Sequence, residues 1–272
     1  MAAAQVEQFR ERWQAGISRA GAPVCVGLDP DPSRIPSHLG SGPEGCRVFL
    51  KGIIEATRDL VAAFKANTAF FEAYGADGWA VLEQLRSWIG PDVLLIADAK
   101  RGDIEHTNEA YARALFKRVR ADAVTVQPYL GGQALAPFCH DARRGMFVLC
   151  VTSNAGAETV QEIETAHGPL YLEIAKQART FSEHDNVGLV VGTTKPEALD
   201  AVLGVASDLP LLLPGGGVQG GDTKRVIASL RRAGASGLFT FSRSVIYASQ
   251  GRDFAEAARG EVERLRKSFV HT

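Results

Sequence analysis

An aspartate, a lysine and a second aspartate near the middle of the chain have the types and spacing that proton-transfer chemistry needs. Asp98 and Lys100 lie two residues apart in VLLIADAKRGDI, so on a strand they share one face. Leu94 and Ile96 precede them on that face, and Asp103 follows. A neighbouring carboxylate favours the charged form of a lysine, which allows the lysine to act as an acid. The alternative interpretation is a solvated ion pair.

A second lysine, Lys65, interrupts the otherwise apolar segment AAFKAN. A lysine is rarely buried without a partner of opposite charge. We therefore expect Asp98, together with Asp103, to supply carboxylates from the next strand. The alternative is that the Lys65 side chain extends along apolar neighbours and places its ammonium at the rim of the fold.

A glycine-rich segment, LPLLLPGGGVQGG, carries the pattern GxGxxG at Gly215, Gly217 and Gly220. In dinucleotide-binding folds this pattern opens the first strand–helix unit and precedes an acidic residue about 20 positions later. The following segment SGLFTFSRS contains no acid. The glycines instead predict a site for one phosphate group, which Gln219 caps and the Arg243 guanidinium binds.

Polar side chains also follow two other apolar segments. Asp29 ends VGLD, where the prolines after it make a turn-forming role the better interpretation of that residue alone. Ser153 and Asn154 follow MFVLCVT, where they could hydrogen-bond the polar edge of a ring or cap a helix.

Short apolar segments alternate along the chain with stretches of helical periodicity, and these segments would position the polar residues. The candidate strands are PVCVGLD, AAFKAN, VLLIADA, DAVTVQ, MFVLCVT, VGLVVGT, PLLLPG and SGLFTFS. Most are apolar throughout, as strands buried on both faces are. Eight such units predict one α/β domain over residues 1–272, a (β/α)8 TIM barrel whose C-terminal mouth carries the chemistry. A Pro/Gly-rich loop at 30–46 would lie at that mouth, and an open doubly wound sheet is the alternative architecture.

Composition and charge narrow the class of protein. The 272 residues include 30 Lys+Arg and 31 Asp+Glu, so the net charge of −1 gives no field that would attract nucleic acid or an anionic membrane. No apolar stretch reaches the ~20 residues that cross a bilayer, and the N-terminus has no signal-like apolar region. Four widely spaced cysteines without a CxxC pair indicate reduced thiols, and we expect a cytoplasmic protein. Motifs that bind metal, such as HExxH, are absent from the sequence.

Taken together, these residues resemble the orotidine 5'-phosphate decarboxylase family over nearly the whole chain, in the form of its longer bacterial subgroup. The family signature DxKxxDI followed by a threonine is met by Asp98, Lys100, Asp103, Ile104 and Thr107. The segments VGLD, FKAN, TSNAG, PGGGVQGGD and SRS occupy the family's order around it. Glu105 departs from the glycine or proline that many members carry after the signature's isoleucine.

The resemblance implies a catalytic centre shared between two subunits of a homodimer. Lys65, Asp98 and Lys100 would form an alternating array of charges with the partner subunit's Asp103. The implied reaction converts orotidine 5'-phosphate to UMP and CO2, the last step of de novo UMP synthesis. Lys100 would protonate the carbanion left at C6, with no metal, flavin or pyridoxal phosphate as cofactor.

The resemblance also implies how the substrate is bound. Asp29 and Lys65 would hold the ribose hydroxyls, joined by the partner subunit's Thr107. Ser153 would bind the edge of the pyrimidine. The 5'-phosphate would be held by three residues: Gly217, Gln219 and Arg243.

Three other functions remain open at the level of sequence. A metal-dependent sugar-phosphate decarboxylase or aldolase of the same barrel superfamily would carry a similar DxKxxD element. A nucleotide-binding barrel without catalytic activity would use the phosphate site alone. A nicotinamide-dependent oxidoreductase would rest on the GxGxxG pattern alone.

Overall fold

Parallel strands pair in chain order and close on themselves as a barrel. The computed structural model describes residues 7–182, 184–215 and 220–270. Its barrel strands are β1 (Val24–Gly27), β2 (Ala63–Asn67), β3 (Leu94–Arg101), β4 (Ala123–Val126), β5 (Gly145–Val151), β6 (Val187–Val191), β7 (Leu211–Pro214) and β8 (Gly237–Phe241). Each strand overlaps one of the candidate segments; β3 runs two residues past the end of VLLIADA, and β5 begins one residue before MFVLCVT. The closed order confirms the (β/α)8 barrel and excludes the open sheet.

Helices alternate with these strands and cover the outside of the barrel. They are α1 (Phe9–Ala20), α2 (Gly42–Thr57), α3 (Ala69–Glu72), α4 (Gly75–Ile89), α5 (Glu105–Ala112), α6 (Glu158–Gln161), α7 (Leu170–Ala178), α8 (Pro196–Ala206), α9 (Gly220–Ala233), α10 (Arg243–Ile246) and α11 (Phe254–Val270). A π-helical turn at Arg113–Arg118 extends α5, and 3-10 turns occur at Pro32–Arg34, Ser37–Leu39 and Gln133–Phe138. No helix of the described ranges is both long and apolar enough to cross a membrane.

Alternation along the strands divides the apolar residues between two layers. Leu94 and Ile96 of β3 point into the barrel and are buried there with Ala63 and Ala123 of the neighbouring strands, as the period of two predicts. The intervening residues face the helices. Residues of α2 such as Phe49 and Ile53 are fully buried in that outer layer, and each such side chain contributes about 1.5–3 kcal/mol by leaving water.

Helix α1 closes the N-terminal end of the barrel. Phe9 and Trp13 are fully buried and belong to the same cluster as the barrel interior. The Trp13 ring centroid lies 5.3 Å from that of Phe147 on β5. Gly145 makes room for this packing, because a Cβ there would come within 2.4 Å of the Phe9 ring. Aromatic side chains therefore fill the barrel interior at its N-terminal end.

Asp122 anchors the same end of the barrel electrostatically. Its buried carboxylate, just before β4, accepts a hydrogen bond from Leu95 N at 2.8 Å. Three guanidinium groups surround it: Arg12 at 2.7 Å, Arg144 at 3.6 Å, and Arg86 in direct hydrogen bonding. The cluster ties α1 and α4 to the strands, and we find in it a structural role that the sequence did not reveal.

Candidate active site

The opposite, C-terminal end of the barrel gathers the polar residues singled out in the sequence. Lys65 lies on β2 and Asp98 on β3, while Asp29, Ser153 and Arg243 follow β1, β5 and β8. Parallel strands all end at the same rim, so residues far apart in sequence meet there. The structure brings four of the predicted residues into one connected group: Asp29, Lys65, Asp98 and Lys100.

Asp98 is the centre of this group. Its Oδ2 lies 2.6 Å from Lys65 Nζ, and its Oδ1 lies 2.5 Å from Lys100 Nζ. Lys65 and Asp98 are 6% and 8% exposed, so their pairing takes place in the barrel interior. The Lys100 side chain is 47% exposed and approaches Asp98 from the mouth. This arrangement rules out a solvated ion pair and makes Asp98 a bridge between a buried and an accessible ammonium.

The environment keeps these charges in place. Burial alone would raise the pKa of Asp98, but the ammonium groups of Lys65 and Lys100 outweigh it and hold that pKa well below its usual range. Burial likewise acts to lower the pKa of Lys65, and Asp98 and Asp29 more than offset it, so that this pKa is raised. Nearby, burial raises the pKa of the Cys25 thiol to about 12. At neutral pH Lys65 and Asp98 are therefore both charged, and the Cys25 thiol is a poor nucleophile.

Asp29 joins the group rather than forming a turn. Its Oδ1 lies 4.0 Å from Lys65 Nζ and accepts a hydrogen bond from Asn67 N at 3.2 Å. Ser242 Oγ donates to its Oδ2 at 2.8 Å. The turn-forming role belongs to Asp31, whose carboxylate accepts from Ser33 N at 2.9 Å. The preference for a simple turn residue at Asp29 was therefore wrong.

Lys100 has an unusual backbone conformation. Its φ is +47°, in the left-handed region that few residues other than glycine adopt. The pairing of β3 with β4 also shifts register between Ala97 and Arg101. A bulge of this kind redirects a side chain at the end of a strand, and here it coincides with the candidate proton donor.

Two residues of the site escaped sequence reasoning. Thr125 of β4 donates its hydroxyl proton to Asp98 Oδ1 at 2.9 Å and accepts from Lys100 N at 3.0 Å. Ser242 holds Asp29, as described above. Thr125 shares the inward face of AVTV with Ala123, so a polar residue at an interior position was the signal available for it. Ser242 carried no signal beyond its place before Arg243.

Asp103 and Thr107 lie apart from the charged group within this chain. The Asp103 carboxylate accepts from Ile104 N at 2.7 Å, and Asn108 Nδ2 donates to the Asp103 carbonyl at 2.7 Å. Among the described residues, no ion pair within 4.0 Å joins Asp103 to Lys65. The second carboxylate near Lys65 within this chain is that of Asp29, and not that of Asp103 as the sequence led us to expect. Thr107 is half-buried on α5. Glu105, in the first turn of α5, places a negative charge where the helix dipole favours one.

The remaining predicted positions lie around the rim. Ser153 and Arg243 are exposed, and Arg243 begins α10 directly after Ser242. Gly215 has a φ of +99°, which requires glycine at the end of β7. Gly217 and Gln219 lie outside the described residues.

Comparisons with known proteins agree on one family. Residues 22–258 match the family model described as orotidine 5'-phosphate decarboxylase / HUMPS family. A relative from Roseiflexus sp. (strain RS-1), named orotidine 5'-phosphate decarboxylase, is 49% identical over 268 residues, which cover 96% of this chain and 97% of the relative. A relative of the same name from Thermomicrobium roseum is 48% identical over 265 residues, covering 96% and 94%. The solved structure of Leishmania donovani OMP decarboxylase superposes with a TM-score of 0.82 at 34% identity, covering 96% of this chain and all of the other.

Proposed function

The chain belongs to the orotidine 5'-phosphate decarboxylase / HUMPS family and decarboxylates orotidine 5'-phosphate to UMP and CO2, and we propose that Lys65, Asp98 and Lys100 form the charged centre of that reaction. The observation that carries the assignment of residues is the bridging of both ammonium groups by the buried Asp98 carboxylate. The names shared by relatives that match over nearly their full length favour this reaction over sugar-phosphate chemistry.

In the proposed reaction the bond between C6 and the carboxylate carbon breaks, and its electron pair stays on C6. The Lys100 ammonium gives its proton to that carbon, which yields UMP and leaves a neutral amine. A proton from solvent restores the ammonium, so the overall change is the replacement of the carboxylate by hydrogen. Charges fixed in advance are the means by which a site stabilises such a carbanion.

Asp98 has two parts in this proposal. Its carboxylate lies 2.5 Å from the Lys100 ammonium and so holds the proton donor in place for the moment at which the carbanion forms. The same charge would lie close to the departing carboxylate, so repulsion is relieved as CO2 leaves while contacts elsewhere hold the substrate. Lys65, which is buried and paired, fixes the position of Asp98.

The rim residues are assigned to binding. Asp29 and Lys65 would hold ribose hydroxyls, and Ser153 would bind the pyrimidine edge. Gly217, Gln219 and Arg243 would hold the 5'-phosphate, which a planar guanidinium and converging backbone amides suit. The position of Arg243, next to the Ser242 hydroxyl that holds Asp29, supports its place at the same site.

A second copy of the chain would complete each site. We assign the partner subunit's Asp103 to the charged array and the partner subunit's Thr107 to the ribose. Large apolar side chains support an interface here, because Ile104, Tyr129 and Leu130 are 57%, 88% and 47% exposed. Gln127 Nε2 donates to the Gly102 carbonyl at 2.9 Å. This hydrogen bond joins the segment that carries Ile104 to the segment that carries Tyr129 and Leu130. This apolar patch therefore flanks Asp103.

We also propose that the whole chain acts as one domain in the cytoplasm. Helix α1 precedes the residues matched by the family model, yet its Phe9 and Trp13 are part of the barrel core. The four cysteines are buried and unpaired, as suits a reducing compartment.

The experiment that tests the function is the ultraviolet absorbance change of the purified protein with orotidine 5'-phosphate, run with and without EDTA. Formation of UMP, confirmed as product, at equal rates in both samples is the expected result. Turnover that EDTA abolishes would contradict the cofactor-free mechanism. An absence of turnover by folded protein would favour a metal-dependent sugar-phosphate reaction, which the same samples can be tested for with added divalent metal.

A further inference from the structure

The bulge in β3 leaves a gap in the backbone pairing at the candidate proton donor. Ala97 pairs with Val124, and the next paired residues are Arg101 and Val126. Three residues of β3, 98–100, therefore lie opposite the single residue Thr125 of β4. Backbone pairing with β4 is interrupted over this stretch, and Lys100 within it has the strained φ of +47°.

The Thr125 side chain occupies this gap. Its hydroxyl oxygen accepts from Lys100 N at 3.0 Å, and its hydroxyl proton goes to Asp98 Oδ1 at 2.9 Å. Thr125 is 1% exposed, so water does not compete for either hydrogen bond. One hydroxyl thus binds both the Lys100 backbone amide and the Asp98 carboxylate. The Lys100 ammonium contacts the same carboxylate.

We propose that Thr125 is a positioning residue that fixes the left-handed backbone of Lys100 and the orientation of Asp98 together. This inference rests on the proposed function of Lys100 as proton donor. Without the hydroxyl, the Lys100 amide loses its acceptor and the backbone relaxes from its strained conformation. The ammonium then moves relative to Asp98, and Asp98 Oδ1 keeps one donor instead of two.

The test compares Thr125→Val with Thr125→Ser. Valine keeps the size and branching of threonine and removes both hydrogen bonds, whereas serine keeps the hydroxyl. We expect Thr125→Val to lower kcat about 100-fold, because a misplaced catalytic group costs rate steeply, with KM nearly unchanged. Thr125→Ser should restore most of the rate. Thr57→Val is the matched control, since Thr57 is fully buried on α2 and its hydroxyl donates to the Ile53 carbonyl at 2.7 Å, far from the mouth.

Several outcomes would overturn the inference. A Thr125→Val variant with normal kcat would exclude positioning, and an increase in KM alone would indicate substrate binding instead. A Thr125→Ser variant as slow as Thr125→Val would show that the methyl group matters and the hydroxyl does not. A similar fall in kcat for Thr57→Val would reduce the effect to general destabilisation.

A second measurement separates this inference from the proposed function. Amide hydrogen exchange of Lys100, followed by NMR in protein labelled with 15N-lysine, reports the backbone hydrogen bond without any substrate. We expect slow exchange in the wild type and in Thr125→Ser, and fast exchange in Thr125→Val. If the wild type lacks decarboxylase activity while this pattern holds, the proposed function fails and the anchoring of the Lys100 backbone stands. If exchange at Lys100 is the same in all three proteins, the anchoring itself is wrong.

Discussion

Asp98 and Lys65 face each other inside the barrel with 2.6 Å between Oδ2 and Nζ, and neither is more than 8% exposed. A buried pair of this kind contributes little net stability compared with apolar residues, but removing one partner leaves a charge without compensation. On β3, the inward-facing residues before Asp98 are the apolar Leu94 and Ile96. The two charges therefore lie at the boundary between the apolar interior of the barrel and its mouth, where water is largely excluded.

Lys65→Met removes one side of this pair. We expect the free energy of unfolding to fall by about 3–5 kcal/mol, because Asp98 then keeps only the more exposed ammonium of Lys100. Urea denaturation measures this change. Lys51→Met is the control, because the Lys51 side chain is 47% exposed and its Nζ lies 3.8 Å from Glu55 Oε1. Loss of this exposed ion pair should lower the free energy of unfolding by less than about 1 kcal/mol. Equal effects of the two substitutions would contradict the buried pairing.

Stability should depend on pH through Asp98. Its folded pKa is depressed, so its contribution is present above the unfolded value of about 4 and is lost as the pH falls toward the folded value. We expect the stability difference between wild type and Asp98→Asn to shrink steadily below about pH 4. Urea denaturation of both proteins from pH 7 downward measures it. A difference that stays constant over this range would show that Asp98 is not stabilised in its charged form.

Lys100→Ala should abolish most of the activity. We expect the rate to fall on the order of thousands-fold or more, because the proton donor of the proposed reaction is lost. The ultraviolet assay measures the rate, and circular dichroism checks the fold. Lys117→Ala is the control, since Lys117 is exposed on the π-helical turn after α5. A near-normal rate for Lys100→Ala would remove it from the mechanism.

Arg243→Ala and Gln219→Ala should weaken substrate binding. The loss of a charge-assisted hydrogen bond to phosphate costs about 1.5–3 kcal/mol, so we expect kcat/KM of Arg243→Ala to fall about 10- to 100-fold. We expect a smaller fall in kcat/KM for Gln219→Ala, because that substitution removes an uncharged hydrogen-bond donor. Steady-state kinetics with orotidine 5'-phosphate measures both. Unchanged kcat/KM in either variant would withdraw that residue from the phosphate site.

Mixing two inactive variants tests the shared site. In a heterodimer of Lys100→Ala and Asp103→Ala subunits, one site carries both lesions and the other carries neither. Random exchange makes half of the dimers heterodimers, so about a quarter of wild-type activity should return. Differently tagged subunits verify the exchange. If exchange occurs without recovery of activity, the partner subunit's Asp103 does not belong to the array.

The sequence predicted the barrel because apolar segments typical of strands buried on both faces recur eight times between helical stretches, whereas an open doubly wound sheet shares the pattern of each single unit. It also predicted the pairing of Lys65 with Asp98, since a lysine in an apolar strand needs a nearby carboxylate. The second partner, Asp29, depends on the pairing of β1 with β2, which local spacing does not encode.

The bulge at Lys100 marks the limit of reasoning from strand periodicity. A period of two placed Asp98 and Lys100 on one face, but it did not reveal the shifted register with β4 or the left-handed backbone of Lys100. The partners of Asp122 were likewise hidden, because Arg12, Arg86 and Arg144 come from three distant segments. Such long-range contacts follow from the three-dimensional path of the chain.

The packing of α1 against the barrel core bears on how small molecules enter and leave the site. With Phe9 and Trp13 filling the N-terminal end, the half-exposed Lys100 side chain meets solvent at the C-terminal mouth, the opening at which we also place the substrate. In the proposed reaction, CO2 departs and the replacement proton arrives by that same route.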